Sequence, residues 1–193
     1  MHVVGIVASP RKYKNTDTIV QRLLDGCEAS GATVGKIYLN DLDLRPCQAC
    51  KVQDGSGCVF RDGMDQIYDV FEDADGIVLG TPVYYNTVSS QMKLMMDRSY
   101  CLARPVVLPS GGRIYESSVG KKKKGIVVSV GGSGSNPDCV LPVFDLWSPE
   151  VNLVIVDSVL VTRAQLGLAP MESAELLEKA FSKGEEFARS LAA

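Results

Sequence analysis

The chain has 193 residues, of which 46% are hydrophobic and 22% are charged, and its mean hydropathy is +0.07. This composition is typical of one globular domain and excludes a disordered chain or a small disulfide-stabilised scaffold. Twenty basic residues against 23 acidic ones give a net charge of −3 and a pI near 5.2, which argues against a broad cationic face for nucleic acid or anionic lipid. We therefore predict a single domain over residues 1–193 that binds any anion at a local site.

The N-terminus and the apolar segments indicate the compartment. The longest apolar runs, such as 151–161, are far shorter than the ~20 residues of a membrane-spanning helix. The run 3–8 follows Met1 almost directly, without the basic and cleavable segments of a secretion signal. We therefore predict a cytoplasmic protein without a membrane span.

Short apolar runs alternate with amphipathic segments along the chain. Runs rich in β-branched residues predict buried strands, and apolar residues at helical spacing predict helices. The predicted strands are 2–8, 33–39, 75–81, 125–131 and 151–161, and the predicted helices are 16–30, 64–72, 89–98 and 171–191. This alternation predicts right-handed crossovers and a five-stranded parallel sheet with helices on both faces. Ligands should then bind at the carboxyl ends of the strands.

Two segments interrupt this alternation. Residues 40–61 form a predicted loop that carries Cys47, Cys50 and Cys58, and residues 102–124 form an irregular, basic insertion. The insertion ends in the four lysines Lys121–Lys124, just before a predicted strand. Such a run is more typical of solvated residues that flank a buried strand than of a polyanion site.

The loop between the first strand and the first helix is rich in hydroxyls and cations. A helix N-terminus supplies unpaired N–H groups and a partial positive charge, and an arginine such as Arg11 can bind two phosphate oxygens. The loop therefore predicts a phosphate site, with a plain surface turn capped by Asn15 or Thr16 as the alternative. No G-x-G-x-x-G follows the first strand and the chain has no G-x-x-x-x-G-K-[ST], so a phosphomonoester fits better than a dinucleotide or a nucleoside triphosphate.

Two further loops follow predicted strands. Residues 81–90 contain Pro82 and the adjacent pair Tyr84 and Tyr85, and residues 131–136 are rich in glycine and serine. An aromatic side chain here can stack on a flat heteroaromatic ring, although such a tyrosine pair can equally be structural. Glycines allow the backbone to approach a ligand closely. The three loops are expected to meet at one edge of the sheet.

With these residues, the chain resembles the flavodoxin-like NADPH-dependent FMN reductase family and, within it, the iron–sulfur flavoprotein branch. The matching stretches are 8–16, 46–59, 75–85 and 92–98. The resemblance implies a flavodoxin-like three-layer sandwich with strand order 2-1-3-4-5, and FMN as cofactor. It places around the phosphate Ser9, Arg11, Asn15, Thr16 and Thr18; along the isoalloxazine ring Pro82, Val83, Tyr84, Tyr85 and Asn86; and near its pyrimidine end Gly131 and Gly132.

The resemblance also implies an activity. NAD(P)H would reduce bound FMN, which would then reduce a flavin, a quinone or another small acceptor in a ping-pong reaction. Because the flavin itself accepts the hydride, no catalytic side chain is required. Family members commonly pair, so a homodimer or homotetramer is implied; Lys93 and Asp97 are expected to form a helix-surface pair or a subunit contact. The alternatives are an electron-transfer carrier and a non-enzymatic flavin-binding or redox module.

The cysteine cluster departs from the pattern of that branch, which has a C-x2-C-x2-C motif followed by a fourth cysteine. Here Gln53 stands at the third position, which argues against an intact 4Fe–4S cluster. Three soft ligands suit zinc or an iron–sulfur centre only if a fourth is supplied. The candidates for that fourth ligand are Cys27, Cys101 and Cys139. The alternatives are three reduced thiols retained for packing and a Cys47–Cys50 redox pair.

Overall fold

The structure, a computed structural model, describes residues 1–50, 57–162 and 169–192. Its strands, numbered in chain order, are β1 His2–Val7, β2 Thr33–Tyr38, β3 Gly76–Pro82, β4 Ala103–Val107, β5 Arg113–Ser117, β6 Lys123–Gly131 and β7 Leu153–Thr162. Five of them form a parallel sheet in the order β2-β1-β3-β6-β7. Counted without the separate β4–β5 pair, this is the order 2-1-3-4-5, which confirms the predicted flavodoxin-like sheet. The loop 40–61, called the cysteine loop below, is described in part, and Gln53 lies outside the described residues.

Helices cover both faces of the sheet, as predicted. The α-helices are α1 Asn15–Ala29, α2 Met64–Asp73, α3 Ser90–Ser99, α4 Leu141–Trp147 and α5 Ala174–Ala192. Short 3-10 turns occupy Leu39–Asp41, Tyr100–Leu102, Pro137–Val140, Ser148–Val151 and Pro170–Glu172. Residues of α1 and α5 share one hydrophobic core, and residues of α2, α3 and α4 share the other. Among the described residues, no helix is both long enough and apolar enough to cross a membrane.

Successive side chains of each strand point to opposite faces of the sheet and therefore pack in different cores. Val3 and Val7 of β1 pack with α1 and α5, whereas Val4 and Ile6 pack with the helices on the opposite face. Strand β3 is buried along its whole length. A strand in the middle of a parallel sheet is covered by helices on both faces, so apolar side chains are needed at successive positions and the strand is a continuous apolar run.

Helices α1 and α5 approach each other closely at two glycines. A Cβ atom at Gly26 would lie 2.0 Å from the carbonyl oxygen of Phe181, and one at Gly184 would lie 2.0 Å from that of Leu23. The thiol of Cys27 donates to the Gly184 carbonyl oxygen at 3.2 Å, and burial raises the pKa of Cys27 to about 12. Cys27 is therefore a packing residue of this helix contact, in the core opposite the one that Cys101 and Cys139 pack against.

The segment predicted to be irregular, 102–124, contains a regular hairpin. Strands β4 and β5 pair antiparallel, from Ala103 opposite Ser117 to Val107 opposite Arg113. The pair forms a small sheet separate from the main one. Most of its side chains are exposed. The exposed hairpin lacks the continuous apolar run by which buried strands are recognised, and this is why the prediction missed it.

The interpretation of the lysine run as solvated is wrong for Lys123. Its side chain is 2% exposed, and its ammonium group donates to the carbonyl oxygens of Lys121 and Val151 at 2.8 and 3.0 Å. Burial lowers the pKa of Lys123 to about 8. Lys121 instead forms a partly exposed ion pair with Asp75 at 2.8 Å. Strand β6 begins inside the run, and alternation along the strand turns one lysine inward.

Candidate cofactor site

The carboxyl ends of β1, β3 and β6 lie side by side, because these strands are neighbours in the sheet. The loops that follow them enclose a cleft of about 400 Å³. Its lining residues are Ser9, Arg11, Lys14, Asn15, Thr16, Pro82, Val83, Tyr84, Val130, Gly131, Gly132 and Ser135. A cleft at this edge is where open parallel sheets bind ligands.

The loop after β1 presents the N-terminus of α1 to the cleft. Lys14 occupies the N-cap position, and its side chain has no oxygen that could accept from the first-turn N–H groups. Asn15 does not cap the helix either, because its side-chain oxygen accepts from the N–H of Met171 at 3.2 Å. Asn15 therefore does not cap the helix as that alternative supposed, and a helix N-terminus whose N-cap residue makes no side-chain cap hydrogen bond can attract an anion.

Two cations border the cleft, and none of its lining residues is acidic. Arg11 and Lys14 are both exposed, and the hydroxyl of Ser9 accepts from the Arg11 N–H at 3.2 Å. The third cation of the loop, Lys12, points elsewhere and pairs with Asp41. The donor set therefore fits a phosphomonoester dianion.

A buried acid holds the loop in shape from behind. Asp17, in the first turn of α1, accepts from the backbone N–H of Tyr13 at 2.6 Å and pairs with Lys36 of β2 at 2.8 Å. Tyr13 has a left-handed φ of 57°, which a bulky residue adopts at a cost of order 1 kcal/mol. The bond to Asp17 helps to stabilise this conformation, and Lys36 balances the charge of the carboxylate.

The loop after β3 separates the two tyrosines. Tyr84 and Thr87 form an antiparallel bridge with backbone bonds of 3.0 and 3.1 Å, and both residues between them, Tyr85 and Asn86, have positive φ. This is the geometry of a tight hairpin turn of type I′. Tyr84 lines the cleft and is 41% exposed, whereas Tyr85 at the turn tip is fully exposed.

A buried hydroxyl network, which the sequence analysis missed, joins the first two loops. Ser89 donates from its hydroxyl to the Ala8 carbonyl oxygen at 2.9 Å, and its own N–H donates to the Thr81 hydroxyl at 3.0 Å. The Ser89 oxygen also accepts from the N–H of Met92, so Ser89 is the N-cap of α3. A serine before an amphipathic segment signals the cap. The hydrogen bond from Ser89 to Ala8 joins residues 81 positions apart, so no pattern within either segment of the sequence predicts it.

The glycines after β6 differ in their surroundings. A Cβ atom at Gly131 would lie 3.0 Å from the Ser135 Cβ and 3.1 Å from the Thr162 Cγ2, so this position is tightly packed. A Cβ atom at Gly132 would meet no atom within 4 Å. Gly132 therefore leaves open space at the cleft.

The structure brings nine of the twelve predicted cofactor residues to the cleft and leaves three outside its lining. Those outside are Thr18, Tyr85 and Asn86. Thr18 lies one turn into α1, and its N–H continues the helix by donating to Lys14. Three lining residues were not predicted, namely Lys14, Val130 and Ser135. Lys14 could have been predicted, because it belongs to the same cation-rich loop as Arg11.

A second, smaller cavity lies at the cysteine loop. It measures about 20 Å³, and its lining includes Cys47, Cys50, Cys58 and Cys101 together with Arg98. Cys27 lies in the other core and Cys139 lies in the 3-10 turn before α4, so neither borders this cavity. All six cysteines are free thiols. Of the three candidates for a fourth thiol, only Cys101 reaches the cluster.

The fold and the cleft define a flavodoxin-like protein. The chain matches the family of NADPH-dependent FMN reductases over residues 1–165 and belongs to it. An iron–sulfur flavoprotein of Methanosarcina thermophila is 34% identical over 81% of this chain and 77% of that protein. An iron–sulfur flavoprotein of Archaeoglobus fulgidus is 36% identical, but over 68% of this chain and only 56% of that protein. A flavone reductase has the same fold, with a TM-score of 0.70 at 19% identity over 100% of this chain and 63% of that one.

The described residues do not fit the 4Fe–4S cluster that the relatives' name implies. Gln53 stands where such a cluster would need a thiolate, so Cys47, Cys50 and Cys58 supply three of the four loop ligands. In the ranges that the structure describes, no group of three or more His, Cys, Asp or Glu side chains is arranged to hold a metal ion. We therefore assign no step of the reaction to such a cluster.

Proposed function

We propose that this FMN-dependent oxidoreductase oxidises NAD(P)H and reduces a flavin, a quinone or another small acceptor in a ping-pong reaction through FMN bound in the cleft. The observation that carries the proposal is the meeting of a cationic helix N-terminus, an aromatic loop and an open glycine at one sheet edge. Membership of the NADPH-dependent FMN reductase family supports the same cofactor.

The chain's residues would divide the binding of FMN between them. Arg11, Lys14 and the N–H groups at the start of α1 suit the phosphate, with the hydroxyls of Ser9 and Thr16 as further donors. The backbone of 82–84 would lie along the ring, and Gly132 provides room for it. Thr18, Tyr85 and Asn86 would support this site without lining it.

When bound, FMN supplies the group that accepts a hydride. The chain's contribution is to place the ring and to shape the surface where the donor and then the acceptor bind. The phenol ring of Tyr84 is partly exposed at the cleft, so the electron donor and then the electron acceptor can contact it in turn. One shared surface for two substrates supports ping-pong kinetics.

The absorption spectrum of the purified protein and the steady-state consumption of NADH and NADPH test this proposal. We expect flavin bands, oxidation of one or both nicotinamides with a quinone or free flavin as acceptor, and parallel double-reciprocal plots. A bound flavin that neither nicotinamide reduces would contradict the enzymatic function. The comparison of NADH with NADPH also determines the preferred donor, and dialysis distinguishes tightly held FMN from exchanging FMN.

The names of the relatives favour a second candidate, an electron-transfer flavoprotein. Such a protein would receive its electrons from a protein partner rather than from a nicotinamide. Reduction of the bound flavin by a reduced ferredoxin, together with inertness toward NADH and NADPH, would favour this candidate.

We also propose a cytoplasmic homodimer or homotetramer. A groove of about 620 Å³ beside α3 and α4 is lined by apolar residues, among them Tyr100, Val143 and the 83% exposed Leu146, and by the charged residues Lys93, Asp97 and Glu150. Burial of such apolar surface is the usual driving force for association. The six reduced thiols suit the cytoplasm. Light scattering should find two or four chains per particle, and a monomer would contradict the assembly.

A further inference from the structure

Asp17 is a buried carboxylate next to the cationic end of the cleft. It is 1% exposed and lies outside the cleft lining, although its neighbour Thr16 belongs to that lining. Its carboxylate accepts from the backbone N–H of Tyr13 at 2.6 Å, from the ammonium of Lys36 at 2.8 Å and from the hydroxyl of Tyr38 at 3.0 and 3.1 Å. The loop after β1, strand β2 and helix α1 therefore meet at this one side chain.

The contacts of Asp17 differ from those of an ordinary acid in the first turn of a helix. Such an acid interacts with the helix dipole or with the N–H of the N-cap residue. Asp17 bonds instead to Tyr13, the residue before the N-cap Lys14. The bond thus reaches out of the helix and fixes the end of the loop that precedes it.

The conformation of Tyr13 depends on outside support. Its φ of 57° lies in the left-handed region, which is strained for a bulky residue. Its side chain is 75% exposed, so packing of the ring does not hold the residue in place. The hydrogen bond to Asp17 restrains it instead. Tyr13 stands between Arg11 and Lys14, which border the cleft, so relaxation of Tyr13 would displace both cations.

The charge of Asp17 needs compensation, because an unpaired carboxylate this near the cleft would repel an anion. Lys36 supplies the compensation, and its ammonium also donates to the Gln21 side-chain oxygen at 2.7 Å. Burial would lower the pKa of Lys36, but hydrogen bonds with Asp17 and Tyr38 raise it above its ordinary value of 10.5. Lys36 therefore stays charged, and the network holds the loop without opposing an anion.

We propose that Asp17 is a positioning residue that makes the cleft prefer FMN to riboflavin. It holds the Tyr13 backbone, and thereby Arg11 and Lys14, in the arrangement that a phosphate needs before any ligand arrives. Such preorganisation lowers the conformational cost of binding. Riboflavin has the same ring without the phosphate, so Asp17 should affect the binding of FMN alone. This inference rests on the binding of FMN proposed above.

Fluorescence titration of the flavin-free protein with FMN and with riboflavin tests this role. Asp17→Ala should raise the Kd for FMN about tenfold, because a bond to a charged acceptor that holds the loop is lost. The Kd for riboflavin should change less than about twofold. Asp65→Ala is the matched control, since Asp65 is the first-turn acid of α2, pairs with the exposed Arg61 and does not border the cleft. It should leave both constants unchanged.

The outcomes separate this role from the proposed function. Equal losses for the two flavins in folded Asp17→Ala, or no loss for either, would overturn the role of Asp17 and leave FMN binding in place. Wild-type protein that binds neither flavin would contradict the proposed function itself, and the inference with it.

Hydrogen exchange measured by NMR tests the same bond in the unaltered protein, in case Asp17→Ala does not fold. In flavin-free wild type, the Tyr13 amide should exchange at least about tenfold more slowly than an unbonded amide. Asp17→Asn should retain this protection and the preference for FMN, because its side-chain carbonyl oxygen can still accept from Tyr13. A Tyr13 amide that exchanges freely until FMN is added would show that the loop is not held in advance, and would overturn the proposal.

Discussion

Arg98 and Asp62 form a buried ion pair with two parallel hydrogen bonds. Nη1 of Arg98 donates to Oδ2 of Asp62 at 2.6 Å, and Nη2 donates to Oδ1 at 3.0 Å. The two side chains are 1% and 4% exposed. Arg98 also donates to the Arg45 carbonyl oxygen at 2.8 Å, and Asp62 accepts from the Arg45 N–H at 3.2 Å. The pair thus ties the end of α3 to both ends of the cysteine loop.

Removal of one partner should be costly, because it leaves the other charge buried without compensation. We expect Arg98→Met to lower the free energy of unfolding by about 3–5 kcal/mol. Urea denaturation measures this. The Lys93–Asp97 pair is an exposed helix-surface pair, as predicted, but it borders the groove proposed for association. Glu185→Gln is therefore the control, because it breaks the Arg189–Glu185 pair on the surface of α5. That variant should change stability by less than about 1 kcal/mol. Equal effects of the two substitutions would contradict the role of Arg98.

The same pair should make stability depend on pH in the acid range. Burial alone would raise the pKa of Asp62, but hydrogen bonds from Arg98 and from the N–H groups of Met64 and Arg45 hold it below its ordinary value of 3.8. A carboxyl group with a lowered pKa stabilises the fold above its unfolded pKa, and this contribution is lost as the pH falls through its folded pKa.

The difference in unfolding free energy between the wild type and Asp62→Asn should therefore be constant above about pH 5 and should shrink below 3.8. Denaturation at a series of pH values gives this difference. A gap that stays constant down to pH 2 would mean that Asp62 does not titrate with a lowered pKa.

Arg11 should contribute to the binding of FMN through its phosphate. A hydrogen bond to a charged group contributes about 1.5 kcal/mol, so Arg11→Ala should raise the Kd for FMN about tenfold. Lys12→Ala is the neighbouring control, because Lys12 pairs with Asp41 and does not line the cleft. Flavin fluorescence titration measures both constants. If the two variants bind FMN equally well, the cleft does not hold the phosphate at Arg11.

The two adjacent tyrosines should differ in their effect on flavin binding. Tyr84 lines the cleft, and loss of an aromatic stacking contact of about 0.5–1.5 kcal/mol would raise the Kd for FMN roughly 2- to 12-fold in Tyr84→Leu. Tyr85→Asn should leave the Kd unchanged, because Tyr85 is fully exposed and asparagine tolerates its left-handed conformation. A larger effect at Tyr85 than at Tyr84 would reverse the assignment and would place the ring against the turn tip.

The sequence alone determined the order of the five strands of the main sheet, of helices α1, α2, α3 and α5, and of the three loops at the carboxyl edge of the sheet; helix α4 was not predicted. Apolar periodicity reports which residues are buried within one segment, and the apolar runs at 3–8 and 75–81 therefore predicted β1 and β3. Loop chemistry is likewise local, so Ser9, Arg11, Pro82 and Gly131 could be predicted as site residues without knowledge of the tertiary fold, and all four line the cleft. The exposed β4–β5 hairpin escaped because it lacks a buried run.

Only the tertiary structure decided which neighbours share a site. Arg11 borders the cleft while Lys12 turns toward Asp41, and Tyr84 faces the cleft while Tyr85 projects from the turn. Cys101 lies 43 positions after Cys58 in the chain, yet both border one cavity around Arg98. Such choices depend on contacts between segments far apart in the chain, and side-chain periodicity within a segment carries no record of them.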